Sequence, residues 1–275
     1  MLIERWGMLS DNEIHAYKKD GLVVADYRLP DSILERLTTA VDQLIADHPD
    51  IRPELLSGPH NPYGQSASLL GNVDFLDFCQ TPDILDMVEQ LIGPDIILWG
   101  SMLFAKPPGG SMGVPWHQDG KYWPINPLET VTVRVAIDGS TPENSCMQYI
   151  PGSHKTRRME RHVVDKRDDM ALGQSMQDVD LSAAHDCILK PGQISFHDVY
   201  TVHGSSHNTH ATKRRADYAI RYMPATSLYD RSEDNPATIY ARTHSPSMNY
   251  PARPIWLVRG QDRAGNDFTV GKPSQ

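Results

Sequence analysis

Val131-Thr132-Val133-Arg134-Val135-Ala136-Ile137 alternates with a period of two: the valines and Ile137 fall on one side, Thr132, Arg134 and Ala136 on the other. Successive side chains of a strand leave opposite faces, so this stretch predicts a strand with a purely apolar face turned into a core. Further strand-like runs lie on both sides of it. Ile96 to Ala105 is apolar and bounded by Pro94 and by Pro107-Pro108-Gly109-Gly110, and Met147 to Ile150 stops at Pro151-Gly152-Ser153. Cys187 to Leu189, Ile194 to His197 and Ala216 to Tyr222 follow, separated by Pro-Gly or Gly/Ser/Asn turns. Many short strands with no helices between them point to a sandwich or barrel and away from a parallel α/β sheet.

Upstream of residue 95 the pattern is helical. Ser10-Asp11-Asn12-Glu13 has the form of a capping box, and Ile33, Leu34, Leu37, Val41, Leu44 and Ile45 recur at helical spacing after Pro30-Asp31. Pro53 to Gln65 reads as loop. Thr81 as N-cap, Pro82 in the first turn and Gly93-Pro94 as the stop mark a third helix. None of these helices carries a chemical motif, so residues 1–94 are expected to cover a sheet. Residues 95–224 then form the β core of a single catalytic domain spanning 1–275, with 225–275 as a C-terminal extension. The charged stretch from Arg157 to Ala184 is expected to be an insertion or lid.

Bulk properties exclude several classes. A net charge of −9 disfavours a phosphate-backbone partner, so no nucleic acid is expected. No apolar run approaches a bilayer span, and the start lacks a secretory pattern. Cys79, Cys146 and Cys187, at unrelated spacings, form neither a disulfide framework nor a zinc site, which reads as reduced thiols in a cytoplasmic protein.

The chemistry is concentrated at Trp116-His117-Gln118-Asp119-Gly120. In extended backbone His117 and Asp119 leave the same face, an imidazole beside a carboxylate. One more imidazole from a distant strand would complete two histidines and a carboxylate on one face of a metal, the set typical of non-haem Fe(II) oxygenases. His203 is the candidate. Of its rivals, His197 precedes Asp198 and reads as a satisfied polar contact, and His207 and His210 read as solvated.

Five motifs in order carry a family resemblance: His117-Gln-Asp119-Gly-Lys-Tyr-Trp-Pro124; Thr141-Pro-Glu-Asn-Ser-Cys-Met147 with Ile150-Pro-Gly-Ser-His154; Lys190-Pro-Gly-Gln193; His203-Gly-Ser205-Ser-His-Asn208; and Arg214-Arg-Ala216 with Ile220-Arg-Tyr-Met-Pro224. Together they resemble the phytanoyl-CoA dioxygenase family of Fe(II)- and 2-oxoglutarate-dependent oxygenases. The resemblance implies a mainly β fold, a double-stranded β-helix (jelly roll, cupin-like) with an N-terminal helical layer packed on one sheet. It implies iron ligation by His117, Asp119 and His203. Arg214, eleven positions beyond His203, matches the arginine that pairs with the far carboxylate of 2-oxoglutarate, and Ser205 matches a hydroxyl on the same carboxylate. Arg134 stands where many relatives carry a tryptophan and adds a positive charge beside the co-substrate.

Alternatives stay open at this point. Arg215 competes with Arg214, because neighbouring strand residues face opposite ways. Arg221 shares the face of Arg215 and is expected in a structural ion pair. Lys121, Tyr122 and Trp123 flank the metal motif as candidate substrate contacts, with Trp123 equally readable as a packed core aromatic. The implied reaction uses O2 and 2-oxoglutarate to hydroxylate an unactivated C–H of a small polar or anionic molecule (an amino or organic acid, a phosphonate or a natural-product acid), with release of succinate and CO2. Retention of Asp119 favours hydroxylation, because relatives that halogenate replace this carboxylate by a small residue; desaturation and cyclisation stay open. A cupin-type zinc or manganese hydrolase or isomerase would use the same ligands but leave Arg214 without a role, and a non-catalytic metabolite-binding barrel would use none of them as ligands. The sequence does not decide substrate or oligomeric state.

Overall fold

A computed structural model of the chain describes residues 7–64, 69–244 and 248–273. Its larger sheet has seven strands. In spatial order these are β1 (Leu22–Arg28), β11 (Gln193–Asp198), β6 (Val131–Ala136), β13 (Arg215–Pro224), β3 (Ile96–Lys106) and β15 (Trp256–Arg259), with the short β2 (Leu56–Ser57) also on β3. A second sheet runs β10 (His185–Cys187), β7 (Met147–Tyr149), β12 (His203–Ser205) and β4 (Val114–His117). Two small ribbons pair β5 (Ile125–Asn126) with β14 (Leu228–Tyr229), and β8 (His162–Val164) with β9 (Gln174–Met176). Every named pairing is antiparallel. The alternation that reads as a strand in the sequence is therefore the middle of a β-sandwich, and the expected mainly β, double-stranded β-helix architecture is present.

The two faces of the large sheet do different jobs. Val131, Val133, Val135 and Ile137 join Ile194, Phe196, Ala216, Tyr218, Ile220 and Tyr222 in one continuous core with the N-terminal helices. Those helices are α1 (Asp11–Asp20), α2 (Asp31–Asp47), α3 (Val73–Phe78) and α4 (Pro82–Ile92). Burying a Val, Leu, Ile or Phe side chain contributes about 1.5–3 kcal/mol, so this layer holds the sheet rigid from one side. The opposite face looks at the second sheet. In the register of β13 on β6, Ala219 lies opposite Arg134 and Arg221 opposite Thr132, so one row of polar groups shares that face.

Local signals were kept where backbone chemistry enforces them. Ser10 and Glu13 form the expected capping box, and α1 stops at Gly21, whose φ of 80° is the left-handed conformation that glycine adopts freely. Thr81 does occupy the N-cap position of α4, but its hydroxyl donates to the carbonyl of Phe78 instead of capping the helix. β1, between α1 and α2, was not anticipated; it extends the sheet by pairing with β11. Neither were α3, α5 (Pro236–His244) and β15. Within the expected insertion, β8 and β9 form a ribbon, and Gln118 holds its leading segment: the Gln118 amide donates to the carbonyls of Arg158 and Tyr200 and accepts from the Glu160 N–H. The three cysteines are free and buried, and among the described residues no helix is long and apolar enough to cross a membrane.

Candidate metal centre

Between the sheets lies a cavity. Phe104, Thr132, Arg134, His197 and the inward row Arg215, Asp217, Ala219 and Arg221 of the large sheet line one side; Val114, His117, Met147 and His203 to Ser205 of the second sheet line the other.

His117 closes β4 and faces His203 directly across the β4–β12 ladder. Gln118 is extended (φ −112°, ψ 135°), so Asp119 leaves on the same side as His117 although it already opens a short 3-10 turn. His117 Nε2 lies 3.5 Å from Asp119 Oδ1 and His203 Nε2 4.0 Å from the same oxygen. One ligand atom from each of the three residues lies within 4.8 Å of the others, and all three residues are buried. Each imidazole is anchored on its far side: His117 Nδ1 donates to the Pro115 carbonyl (2.8 Å) and His203 Nδ1 to the Thr201 carbonyl (2.9 Å). Those bonds place the ring proton on Nδ1 and turn both Nε2 lone pairs toward Asp119. Two neutral nitrogens and one carboxylate oxygen, converging and with open space beyond, fit a divalent transition metal such as Fe(II).

Electrostatics at this point favour the ligating forms. Burial alone would raise the Asp119 carboxyl, yet contacts from His117 and His197, with Arg221 and His203 nearby, hold it well below the usual carboxylate range. Burial, reinforced by His117 and His197, pushes His203 well below the ordinary histidine range. Sequence reasoning missed the groups that aim Asp119. Its Oδ2 accepts from Thr132 Oγ1 at 2.9 Å and lies 3.2 Å from His197 Nε2. His197 is thus a support of the carboxylate, not a partner of its chain neighbour Asp198; the period-two face of Thr132 was the available signal.

The far end of the cavity is cationic and differs from expectation. Arg214 points away from the cavity: Nε and Nη2 donate to Asp138 and Nη1 to Asp42, with the side chain about a third exposed. Arg215 takes the inward position. Its Nη1 lies 3.0 Å from Asp217 Oδ2, and Arg134 Nη2 meets the same oxygen at 2.5 Å. All three side chains are at least 95% buried. Two guanidinium groups share one carboxylate, which leaves a net positive charge, and Arg134 Nη1 and Arg215 Nε have no hydrogen-bond partner among the described residues. Ser205 lines the cavity beside them, its Oγ accepting from the buried Lys106 Nζ at 2.8 Å. Burial, with Arg215 adding to it, pushes Lys106 down to about 6.

The candidate substrate contacts separate. Tyr122 stacks on Tyr240 of α5 with ring centres 3.5 Å apart, and neither it nor Lys121 lines the cavity. Trp123 packs edge-on against the buried Trp99 at 4.4 Å and touches the cavity through Arg221, whose guanidinium lies 5.2 Å from its ring centre. Arg221 has no carboxylate within 4.0 Å among the described residues, so the expected ion pair is absent.

Comparison with known proteins follows the same lines. The family profile described as "Phytanoyl-CoA dioxygenase (PhyH)" matches residues 17–216. A protein of Stutzerimonas stutzeri named "Probable alpha-ketoglutarate-dependent hypophosphite dioxygenase" is 32% identical over 173 residues, 59% of this chain and 60% of that protein. Human peroxisomal phytanoyl-CoA dioxygenase is 24% identical over 220 residues, 73% of this chain and 64% of that protein. The matches thus span less than two thirds of the length of either relative. The solved structure "non-heme monooxygenase; ThoJ apo" superposes with a TM-score of 0.68 at 24% identity, covering 92% of this chain and 85% of that one, and shares the fold. With the profile matching residues 17–216, most of the sequence, this chain belongs to the phytanoyl-CoA dioxygenase family, and the two-histidine, one-aspartate cluster lies within the matched span.

Proposed function

We propose that the protein is an Fe(II)- and 2-oxoglutarate-dependent dioxygenase that hydroxylates a C–H of a small polar or anionic molecule. The observation that carries this reading is the coexistence, in one cavity, of a converging His-Asp-His set and a cationic end with unfilled donors. A metal site for hydrolysis would need the first but not the second. His117, Asp119 and His203 would hold the iron. Arg215 and Arg134, with Ser205, would take the far carboxylate of 2-oxoglutarate, because a planar guanidinium grips a carboxylate through parallel N–H donors. When bound, the iron couples oxidation of 2-oxoglutarate by O2, to succinate and CO2, with insertion of the second oxygen atom into the substrate C–H. The chain's own contribution is placement. Thr132 and His197 hold Asp119 in orientation, Nδ1 bonds fix both imidazole tautomers, and Asp217 keeps the two arginines apart at a defined spacing.

The test is succinate release, with Fe(II) and 2-oxoglutarate under air, across panels of amino acids, organic acids and phosphonates. Succinate formed in step with a hydroxylated product, and abolished in His203→Ala, supports the reading. Turnover that proceeds without oxygen on zinc or manganese would replace it by the hydrolase or isomerase alternative.

A further inference from the structure

Arg221 and Arg253 are two cations on the inner side of the large sheet that the reaction scheme leaves unused. Arg253 is 3% exposed and Arg221 half-buried. Neither has a carboxylate within 4.0 Å among the described residues, and each leaves Nε without a hydrogen-bond partner. Among the described residues the Arg253 guanidinium has only the Met248 Sδ, at 3.2 Å, as a hydrogen-bond contact, with the rings of Trp99 and Tyr250 at 5.7 and 5.2 Å. Arg221 rests on Trp123. The two converge over Gly100: a Cβ placed there would lie 3.3 Å from Arg253 Nη1 and 3.8 Å from Arg221 Cδ, so the absence of a side chain makes the room they share.

Like charges brought together under cover repel, and contacts with aromatic rings only partly offset the desolvation of each. Elsewhere in this cavity the fold does supply a carboxylate: Asp217 sits between Arg134 and Arg215. Here Asp119 acts on Arg221 only from beyond ion-pair distance, and no carboxylate among the described residues pairs with either arginine. Arg221 also lines the cavity that holds His117, Asp119 and His203, on the same strand as Arg215 but six residues further along it. Arg221 therefore stands along the cavity wall away from Arg134 and Arg215, and Arg253 lies behind it across Gly100, outside the cavity lining itself.

We propose that Arg221 and Arg253 form an oxyanion grip for the substrate, and that the substrate is a small molecule carrying a carboxylate or a phosphonate-type group, with Trp99, Trp123 and Tyr250 packing beside it. This rests on the dioxygenase reading for the word substrate, but the grip is testable without turnover. Protein loaded anaerobically with Fe(II) and 2-oxoglutarate, so that the other cationic end is filled, is titrated calorimetrically with benzoate, phenylphosphonate and the neutral benzamide. At least one anion is expected to bind tenfold or more tightly than benzamide, and the tighter of the two identifies the group. Arg253→Gln is expected to weaken that anion about tenfold or more while leaving benzamide and 2-oxoglutarate unaffected; Arg253→Lys, which keeps the charge but loses the fork, should fall between. Benzamide binding as tightly as both anions, no binding of either anion, or undiminished anion binding by Arg253→Gln at an unchanged melting temperature would each overturn the proposal. The wild-type comparison of charged and neutral probes decides the matter even where a variant fails to fold. The visible absorption of the Fe(II)–2-oxoglutarate complex, read on the same samples, separates the two ideas: absorption without anion binding removes the grip alone, and anion binding without absorption removes the dioxygenase reading alone.

Discussion

At the scale of single residues, two adjacent arginines divide the labour. Arg215 faces the cavity and Asp217, whereas Arg214 is held on the surface by Asp138 and Asp42. Arg215→Ala should raise the KM for 2-oxoglutarate by roughly 30-fold or more, because removing one partner of a desolvated charge pair costs about 2–5 kcal/mol. Arg214→Ala should change it less than about threefold and cost no more than ~1 kcal/mol of stability, as partly exposed ion pairs do. Steady-state kinetics and thermal melts of both variants check this. His197→Phe removes a support of Asp119 Oδ2 and should weaken Fe(II) binding about 10- to 100-fold, measured by competition with a chelator, without removing any of the three proposed ligands. The sequence made the candidate metal set legible because His117 and Asp119 need only two-residue periodicity to share a face. It left the arginine ambiguous because a spacing of eleven from His203 crosses the turn from Ser206 to Lys213, and only alternation within β13 decides which of two neighbours turns inward. The lone Arg221 was unreadable for a related reason: whether an acid lies within reach is a property of packed strands.

At the scale of elements, Gln118 ties the metal loop to the insertion. Its side chain faces away from the cavity while its neighbours face in, and it bonds Arg158, Glu160 and Tyr200; its backbone N–H donates to His162 Nε2 at 3.0 Å. Gln118→Ala deletes three hydrogen bonds of about 1 kcal/mol net each and should loosen the segment leading into β8. Limited trypsinolysis at Arg157, Arg158 and Arg161 is then expected to accelerate about tenfold or more, with the global melting temperature falling far less. Equal cleavage rates would show that other contacts hold the insertion. Helices α1, α2 and α4 and the central strands were legible from capping residues, Pro and Gly punctuation, and period. β1 was not, because a seven-residue apolar-to-polar run between two helices carries no marker beyond Gly21 of its pairing with β11.

At the scale of the molecule, the cavity depends on a sheet buttressed by helices on one face, and that burial also sets the response to acid. Burial, then the nearby Arg253 and Arg221, pushes His60 down to about 3, and burial pushes His162 down to about 4. An unfolded histidine titrates near 6.5, so below that pH the unfolded chain binds protons that the folded chain refuses, and stability falls as pH drops through the window. Each pH unit below 6.5 should cost about 1.4 kcal/mol per such histidine until its folded value is reached. His60→Gln, which keeps a partner for Ser101 Oγ, should flatten the slope of melting temperature against pH between 6.5 and 4 relative to wild type; an unchanged slope would mean that His60 takes up its proton in the folded protein at the same pH as in the unfolded chain. The central claim, that three groups from two strands and a turn hold a ferrous ion beside a guanidinium-lined keto-acid site, is tested most directly by anaerobic absorption titration. A weak visible charge-transfer band should appear only when Fe(II) and 2-oxoglutarate are both present, saturate at one of each per chain, and vanish in Arg215→Ala at wild-type saturating 2-oxoglutarate while persisting in Arg214→Ala. No band in the wild-type protein, or a band that survives His203→Ala undiminished, would contradict it.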